Sequence, residues 1–188
     1  MKLTITPRSA KAKGEIKQIR RKGNIPAVVY APGEKAESIE VNGAEFGALV
    51  REIKAGHLPT SVFTLVIGNK EVKAIIKDIQ YNMINYKVSH IDFEKLSDKV
   101  LITVNVPVTC AGIVDCVGIK LGGFLRQVYR TVSVECLPGV MPKEFVIDIR
   151  ELGIGQSRRL SDIPMPKGVK PLEDMKKVLV VIGKQRSA

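Results

Sequence analysis

The sequence predicts a mainly β protein with a few helices, built as a strand-rich N-terminal domain followed by a nearly all-β C-terminal domain. Short runs rich in β-branched residues alternate with turn signals along the chain, whereas helical spacing of apolar residues is clear only near residues 14–23 and 44–54. The pattern changes beyond residue 96, where β-branched runs are punctuated by glycine and proline. A chain of 188 residues can bury two modest cores. We therefore place the domains at residues 1–95 and 96–188.

The first 24 residues combine a short strand, a basic loop and a helix. Alternation at Leu3-Thr4-Ile5 predicts a strand, and residues 8–14 are typical of an exposed basic loop. From residue 14 to 23, Ile16 and Ile19 share one side while cations occupy another, which predicts a short amphipathic helix. Gly23 is its expected C-terminal stop.

The remainder of the first domain predicts strands and one further helix. Strands are expected at residues 25–30 and 38–41, at 61–67 and 70–80 as a hairpin turning at Gly68-Asn69, and at 87–93. The helix at residues 44–54 would bury the stripe Phe46, Leu49, Val50 and Ile53.

The second domain predicts strands almost exclusively. Runs of β-branched residues are expected to form strands at 100–108, 127–136, 144–149 and 177–182. Their frequent turn signals favour a sandwich or a small barrel, and the sequence leaves that choice open.

The charge distribution indicates a polyanionic partner. The chain carries a formal net charge of +11, and residues 1–24 hold eight basic side chains against the single acidic Glu15. No apolar run approaches the roughly 20 residues of a membrane-spanning helix, and the N-terminus lacks the features of a secretory signal. We therefore expect a cytoplasmic protein that binds nucleic acid, without a membrane partner.

The sequence contains few of the residues and motifs that catalysis or metal binding requires. Cys110, Cys116 and Cys136 form no C-x-x-C pair, so each is expected to be a small buried residue in a strand. His57 and His90 are the only histidines, and no nucleophile motif, P-loop or H-E-x-x-H sequence occurs. We expect neither an enzyme nor a cofactor.

Two groups of residues could contact RNA. Lys13, Lys17 and Arg20 on the predicted helix could follow a phosphate-lined groove, although a solvated cationic face has the same pattern. Period-two alternation places His90 and Asp92 on one outward strand face, either as an ordinary surface pair or facing nucleotides.

Asp78 and Gln80 share a face of the preceding strand, which a short connection would bring beside the strand of His90. Tyr30 could stack on a base, or be half-buried in the core. Together these side chains could make a polar reading surface.

The chain resembles the bacterial large-subunit ribosomal protein number twenty-five, in its long two-domain general-stress (Ctc-type) form. The resemblance rests on RRKGNIPAVVY at Arg20–Tyr30, and on KDIQY at Lys77–Tyr81 followed by HIDF at His90–Phe93. In the second half it rests on the segments VPV, GIKLGG and ECLP, which begin at residues 106, 118 and 135.

The resemblance implies a small N-terminal β-barrel with helices that binds 5S rRNA in the large ribosomal subunit. It gives RNA-facing roles to nine residues, to which Lys11 of the basic loop and Lys77 of the second block are added. The RNA-binding candidates are Arg8, Lys11, Lys13, Lys17, Arg20, Arg21, Tyr30, Lys77, Gln80, His90 and Asp92.

Two other functions stay open at this point. A related barrel architecture binds tRNA in some synthetases, which makes a tRNA-binding module the first alternative. The second is a stress or assembly adaptor whose C-terminal domain contacts proteins, including neighbouring ribosomal proteins.

Overall fold

A computed structural model of the chain describes residues 1–8, 13–68, 70–98 and 100–184. Its backbone divides into two compact units, Met1–Val100 and Leu101–Ala188.

The N-terminal unit is a closed barrel of six strands with two helices, as the resemblance implied. The strands are β1 (Lys2–Pro7), β2 (Asn24–Tyr30), β3 (Glu37–Asn42), β4 (Val62–Ile67), β5 (Lys70–Tyr81) and β6 (Val88–Lys95). The helices are α1 (Lys13–Arg21) and α2 (Gly43–Glu52), and a 3₁₀ turn at Leu58–Thr60 precedes β4. The strand order is β1-β3-β2-β6-β5-β4, and β1 closes the ring by pairing parallel with β4.

Alternating side chains fill the barrel. In β1 the inward residues Leu3 and Ile5 are fully or almost fully buried, while their neighbours are exposed. Phe63 and Phe93 meet edge to face inside, with ring centroids 6.3 Å apart. The period-two pattern in the sequence therefore marks the interior.

Strands β2 and β6 pair in parallel, and this pairing determines which of their residues lie on the outer side of the barrel. Ala27 lies opposite Ile91 and Val29 opposite Phe93, all four of them buried. The alternate residues must point away from the core, which places Tyr30 on the outer side of the barrel beside Glu94, whose side chain is nonetheless buried.

A residue just past the end of α1 and the first residue of α2 lie in close backbone contact. Helix α1 is followed by Gly23, whose φ of 85° lies in the left-handed region that favours glycine. Helix α2 begins after Asn42, whose side-chain oxygen accepts hydrogen bonds from the N–H groups of Ala44 and Glu45 at 2.9 and 3.3 Å. A Cβ on Gly43 would lie 2.2 Å from the Gly23 carbonyl oxygen, so this position must lack a side chain.

Helix α2 covers the barrel with the predicted stripe. Phe46 is buried, and Leu49, Val50 and Ile53 pack partly buried against the core.

The C-terminal unit contains two sheets within the described residues, so the closed-barrel alternative is wrong. One sheet has the order β10-β7-β9-β12 and the other β11-β13-β8. The strands are β7 (Ile102–Ala111), β8 (Gly123–Gln127), β9 (Thr131–Cys136), β10 (Phe145–Asp148), β11 (Ser157–Arg159), β12 (Val169–Pro171) and β13 (Val178–Lys184).

The C-terminal unit differs from the sequence prediction in four respects. Strands β11 and β12, and residues 123–126 of β8, lie outside the predicted runs. The run at residues 127–136 holds the end of β8 and all of β9, which belong to different sheets because the chain bends at residues 128–130. A short helix, α3 (Val117–Lys120), interrupts the strands. Cys116 is buried, but it is the N-cap of α3 instead of a strand residue, and Cys110 in β7 is only half-buried.

Candidate nucleic-acid interface

Helix α1 presents cations to solvent from an anchored position. Ile19 is buried against the barrel, whereas Lys17, Arg20 and Arg21 are exposed. The guanidinium of Arg20 donates two hydrogen bonds to the backbone carbonyl of Ser89 in β6, at 3.1 and 3.0 Å. Arg20 therefore fastens the helix to the strand that carries His90.

Arg8 has a structural contact as well as a surface position. Its Nε donates a hydrogen bond of 3.1 Å to the carbonyl of Ile39 in β3, and the residue is half-buried. Lys13 is the first residue of α1, and the candidate Lys11 lies outside the described residues.

A β-bulge in β5 sets the direction of its polar side chains. Ile76 pairs with Phe93 and Asp78 with Asp92, so Lys77 is the extra residue in β5. Before the bulge, Ala74 and Ile76 face the core; after it, the even-numbered positions face outward and Ile79 packs on the core. The bulge thus explains why Asp78 and Gln80 lie on the surface, as expected from their sharing one strand face.

The polar strand face has matched neighbours across β5 and β6. Gln80 lies opposite His90, and Asp78 opposite Asp92. Within β6, His90 Nδ1 is 2.7 Å from Asp92 Oδ1, which orients the imidazole so that its other nitrogen is directed away from Asp92. These residues are half-buried or exposed, so they can meet a ligand.

Lys77 has a different setting from the one expected of an RNA contact. Its Nζ is 3.3 Å from Glu94 Oε2, and the Glu94 side chain is only 10% exposed. The ammonium group therefore compensates a carboxylate that would be costly to bury alone. The sequence analysis did not identify Glu94 as the partner of Lys77, because only the pairing of β5 with β6 brings the two side chains together.

Tyr30 stands half-buried at the end of β2 in an acidic surrounding. Its burial, and then the carboxylates of Glu94, Asp92 and Asp78, raise the pKa of the Tyr30 phenol above its ordinary value. The neutral hydroxyl can donate a hydrogen bond, and the residue is only half-buried.

The outer face of β2, β6 and β5 and the attached helix α1 form one surface, here called the barrel face. Among the sequence-predicted residues, Tyr30, Gln80, His90 and Asp92 belong to the strand part of this surface. Arg20 joins α1 to it through Ser89, and Lys17 and Arg21 are exposed on the same helix. Its cations suit phosphates, and its imidazole, amide and carboxylate suit base edges and 2′-hydroxyl groups.

Sequence reasoning also missed a cleft of ≈ 500 Å³ beside Arg20, next to the loop between β5 and β6. Tyr81 and Tyr86 line it, and both side chains are exposed. The closely spaced tyrosines and asparagines at residues 81–86 are the sequence feature that could have indicated this cleft.

Other kinds of site find no support in the described part of the chain. There, no cluster of three or more His, Cys, Asp or Glu side chains could hold a metal ion. No helix among the described residues has the length and apolar character needed to cross a membrane.

Comparisons with known proteins identify both halves of the chain. Residues 3–93 match the model of the Ribosomal L25p family, and residues 101–186 match that of the ribosomal protein TL5 C-terminal domain. The large ribosomal subunit protein bL25 of Chlamydia caviae is 39% identical over 98% of this chain and 100% of its own length. The bL25 proteins of Chlamydia trachomatis serovar L2 and Chlamydia pneumoniae are 40% and 38% identical over the same shares. The chain therefore belongs to the bL25 family of large-ribosomal-subunit proteins, in the long two-domain form.

Proposed function

We propose that the barrel unit binds 5S rRNA within the large ribosomal subunit, on ribosomes in the cytoplasm. The observation that carries this proposal is the junction of the exposed cations of α1 with the polar strand face, fixed by the Arg20–Ser89 hydrogen bonds. Cations alone would grip any polyanion, whereas His90 and Asp92 beside them can distinguish one RNA surface from another.

The cationic side chains of this surface and its other polar side chains have different roles in the proposed binding. Lys17, Arg21 and the outward donors of Arg20 pair with phosphates and supply affinity that depends on salt. Gln80 and the His90–Asp92 pair meet base edges or 2′-hydroxyl groups in a wide, shallow minor groove. The ring of Tyr30 packs on a sugar or a base at the edge of the same face. Arg8, Lys11 and Lys13 extend the cationic side, and Lys77 acts through Glu94.

A salt-dependent titration of the full chain with purified 5S rRNA tests the proposal, with tRNA as competitor. We expect tight binding that excess tRNA does not displace. Equal affinity for both RNAs would reduce the barrel face to a general polyanion site, and preference for tRNA would favour the tRNA-binding alternative. An Asp92→Asn, His90→Asn double variant should lose preference for 5S rRNA and keep its affinity for tRNA.

For the C-terminal unit we propose a protein contact, with the functional division near residue 96. The support is apolar surface beside α3: Val114 is 84% exposed and Leu121 69% exposed. Replacing both by serine in the full chain should weaken its retention on large subunits but leave its affinity for free 5S rRNA unchanged. Unchanged retention would exclude a contact through these two residues.

A further inference from the structure

The loop between β5 and β6 is rigidly built although its side chains are exposed. This tip loop comprises Asn82–Lys87. The N–H of Asn82 donates to the Lys87 carbonyl and the N–H of Tyr86 to the Asn82 carbonyl, both at 2.8 Å. The side-chain oxygens of Asn82 and Asn85 accept further hydrogen bonds from the N–H groups of Ile84 and Lys87, at 2.9 and 3.0 Å. Such a network fixes the loop without help from the barrel core.

Tyr86 is held in an unfavourable backbone conformation. Its φ of 54° makes it the one non-glycine residue with positive φ in the described parts of the chain. Strain of this kind persists where the surrounding hydrogen bonds enforce it, and it is enriched at binding sites. Here it accompanies an aromatic side chain that is 80% exposed and lines the cleft beside Arg20.

The chemistry of this tip-loop cleft suits an anionic ligand with a flat aromatic face. Its ≈ 500 Å³ lie within the roughly 300–1,000 Å³ typical of small-ligand pockets. Tyr81 and Tyr86 offer rings, and Arg20 and Lys87 offer positive charge. Asn82 and Asn85, whose side-chain oxygens accept from the loop backbone, offer their amide N–H groups as donors. No carboxylate belongs to the part of its lining that the structure describes. Rings, amides and cations without acids are the combination with which proteins hold unstacked bases.

We propose that the tip-loop cleft receives one unpaired nucleotide of the RNA bound by the barrel face, with its base stacked on Tyr86. This inference rests on the proposed function, because Arg20 belongs to both sites and the RNA would have to continue from one to the other. It adds a single-stranded recognition element to a face that otherwise suits a helix.

Three variants of the full chain test the cleft. Tyr86→Leu removes the ring and keeps an apolar side chain in a loop whose backbone bonds are unchanged; we expect its affinity for 5S rRNA to fall about tenfold or more. Tyr86→Phe should keep the affinity of the parent chain. Ile84→Asn is the matched control, since Ile84 is 92% exposed in the same loop but is not among the cleft residues. Unchanged affinity in Tyr86→Leu would overturn the cleft proposal and leave 5S rRNA binding intact.

A second measurement tests whether the cleft binds single-stranded RNA, independently of whether the chain binds 5S rRNA. The NMR ring signals of Tyr81 and Tyr86 are followed while single-stranded oligouridylate is added to the full chain. Shifts of both rings support the cleft even if the chain fails to bind 5S rRNA, which would overturn the proposed function alone. Unmoved rings, or uridine monophosphate binding as tightly as the oligomer, would overturn the RNA cleft.

A protein occupant gives a different pattern. If Tyr86→Leu kept its affinity for 5S rRNA but lost retention on large subunits, the cleft would hold a protein side chain and the nucleotide proposal would be wrong.

Discussion

Single residues on the barrel face serve both the fold and the ligand. Arg20 gives two of its donors to Ser89, and Tyr30 packs half-buried among carboxylates. The sequence revealed that both were candidates, because a cation at helical spacing and a tyrosine ending a strand are local patterns. It could not reveal the partner of Arg20, which lies 69 positions away.

Replacing Arg20 by alanine should lower the stability of the fold more than replacing Arg21 does. Arg20→Ala and Arg21→Ala remove the same charge, so both should weaken RNA binding. Only Arg20→Ala also removes the hydrogen bonds to Ser89, and we expect it to lower the free energy of unfolding by about 1 kcal/mol. Urea unfolding of the two variants measures the difference. Equal stability would mean that the bonds to Ser89 do not fasten α1.

The raised pKa of Tyr30 should appear as a loss of stability in alkali. Because the folded chain holds this proton more tightly than the unfolded chain does, the contribution is complete below the ordinary value of 10.0 and declines as pH rises through the folded pKa. Relative to Tyr30→Phe, the parent chain should therefore lose unfolding free energy only above about pH 10. Urea unfolding between pH 8 and 11 measures this. A constant difference across that range would contradict it.

At the scale of elements, the sequence predicted the strands of the barrel but not the bulge that interrupts one of them. Alternating apolar residues mark β1, β4 and β6, because each strand has one face in the core. The bulge at Lys77 depends on the partner strand and leaves no local signal. The division of residues 127–136 was missed because the run of strand-forming residues continues through Val128 and Tyr129, and only the bend at residues 128–130 separates Gln127 of β8 from β9.

Two glycines of α2 should respond oppositely to alanine. Gly43→Ala would place a Cβ against the Gly23 carbonyl, and we expect a loss of about 1–3 kcal/mol in unfolding free energy. In Gly47→Ala the nearest atom would be 3.9 Å away, so the better helix propensity of alanine should stabilise by up to about 1 kcal/mol. Thermal unfolding of both variants tests the contact. A tolerated Gly43→Ala would show that the two backbones do not meet so closely.

At the scale of the whole molecule, the concentration of charge was the most informative property of the sequence. It predicted a polyanionic partner, and the structure places Lys17, Arg20 and Arg21 in solvent on one helix. In the C-terminal unit the sequence predicted strands β7, β9, β10 and β13, but it predicted neither β11 and β12 nor the arrangement of the strands in sheets. The two sheets of this unit result from pairings between distant segments, such as β8 with β13.

The salt dependence of RNA binding should identify the charges that meet phosphate. Lys17→Ala should reduce the slope of log affinity against log salt by about one unit. Lys70→Ala removes the same charge at the opposite end of β5 from Gln80, and its slope should match that of the parent chain. A reduced slope in both variants would indicate a diffuse cationic field instead of a defined phosphate contact.

The bulge in β5 also gives this strand one place where the chain can change length by a single residue. Deleting Lys77 would leave Ile76 opposite Phe93 and Asp78 opposite Asp92 as consecutive pairs, so Ile79 would still face inward and Gln80 outward. A homologue that is one residue shorter here would therefore have a regular strand with the same two faces. If Lys77 were instead drawn into regular alternation, Gln80 would turn inward and Ile79 outward.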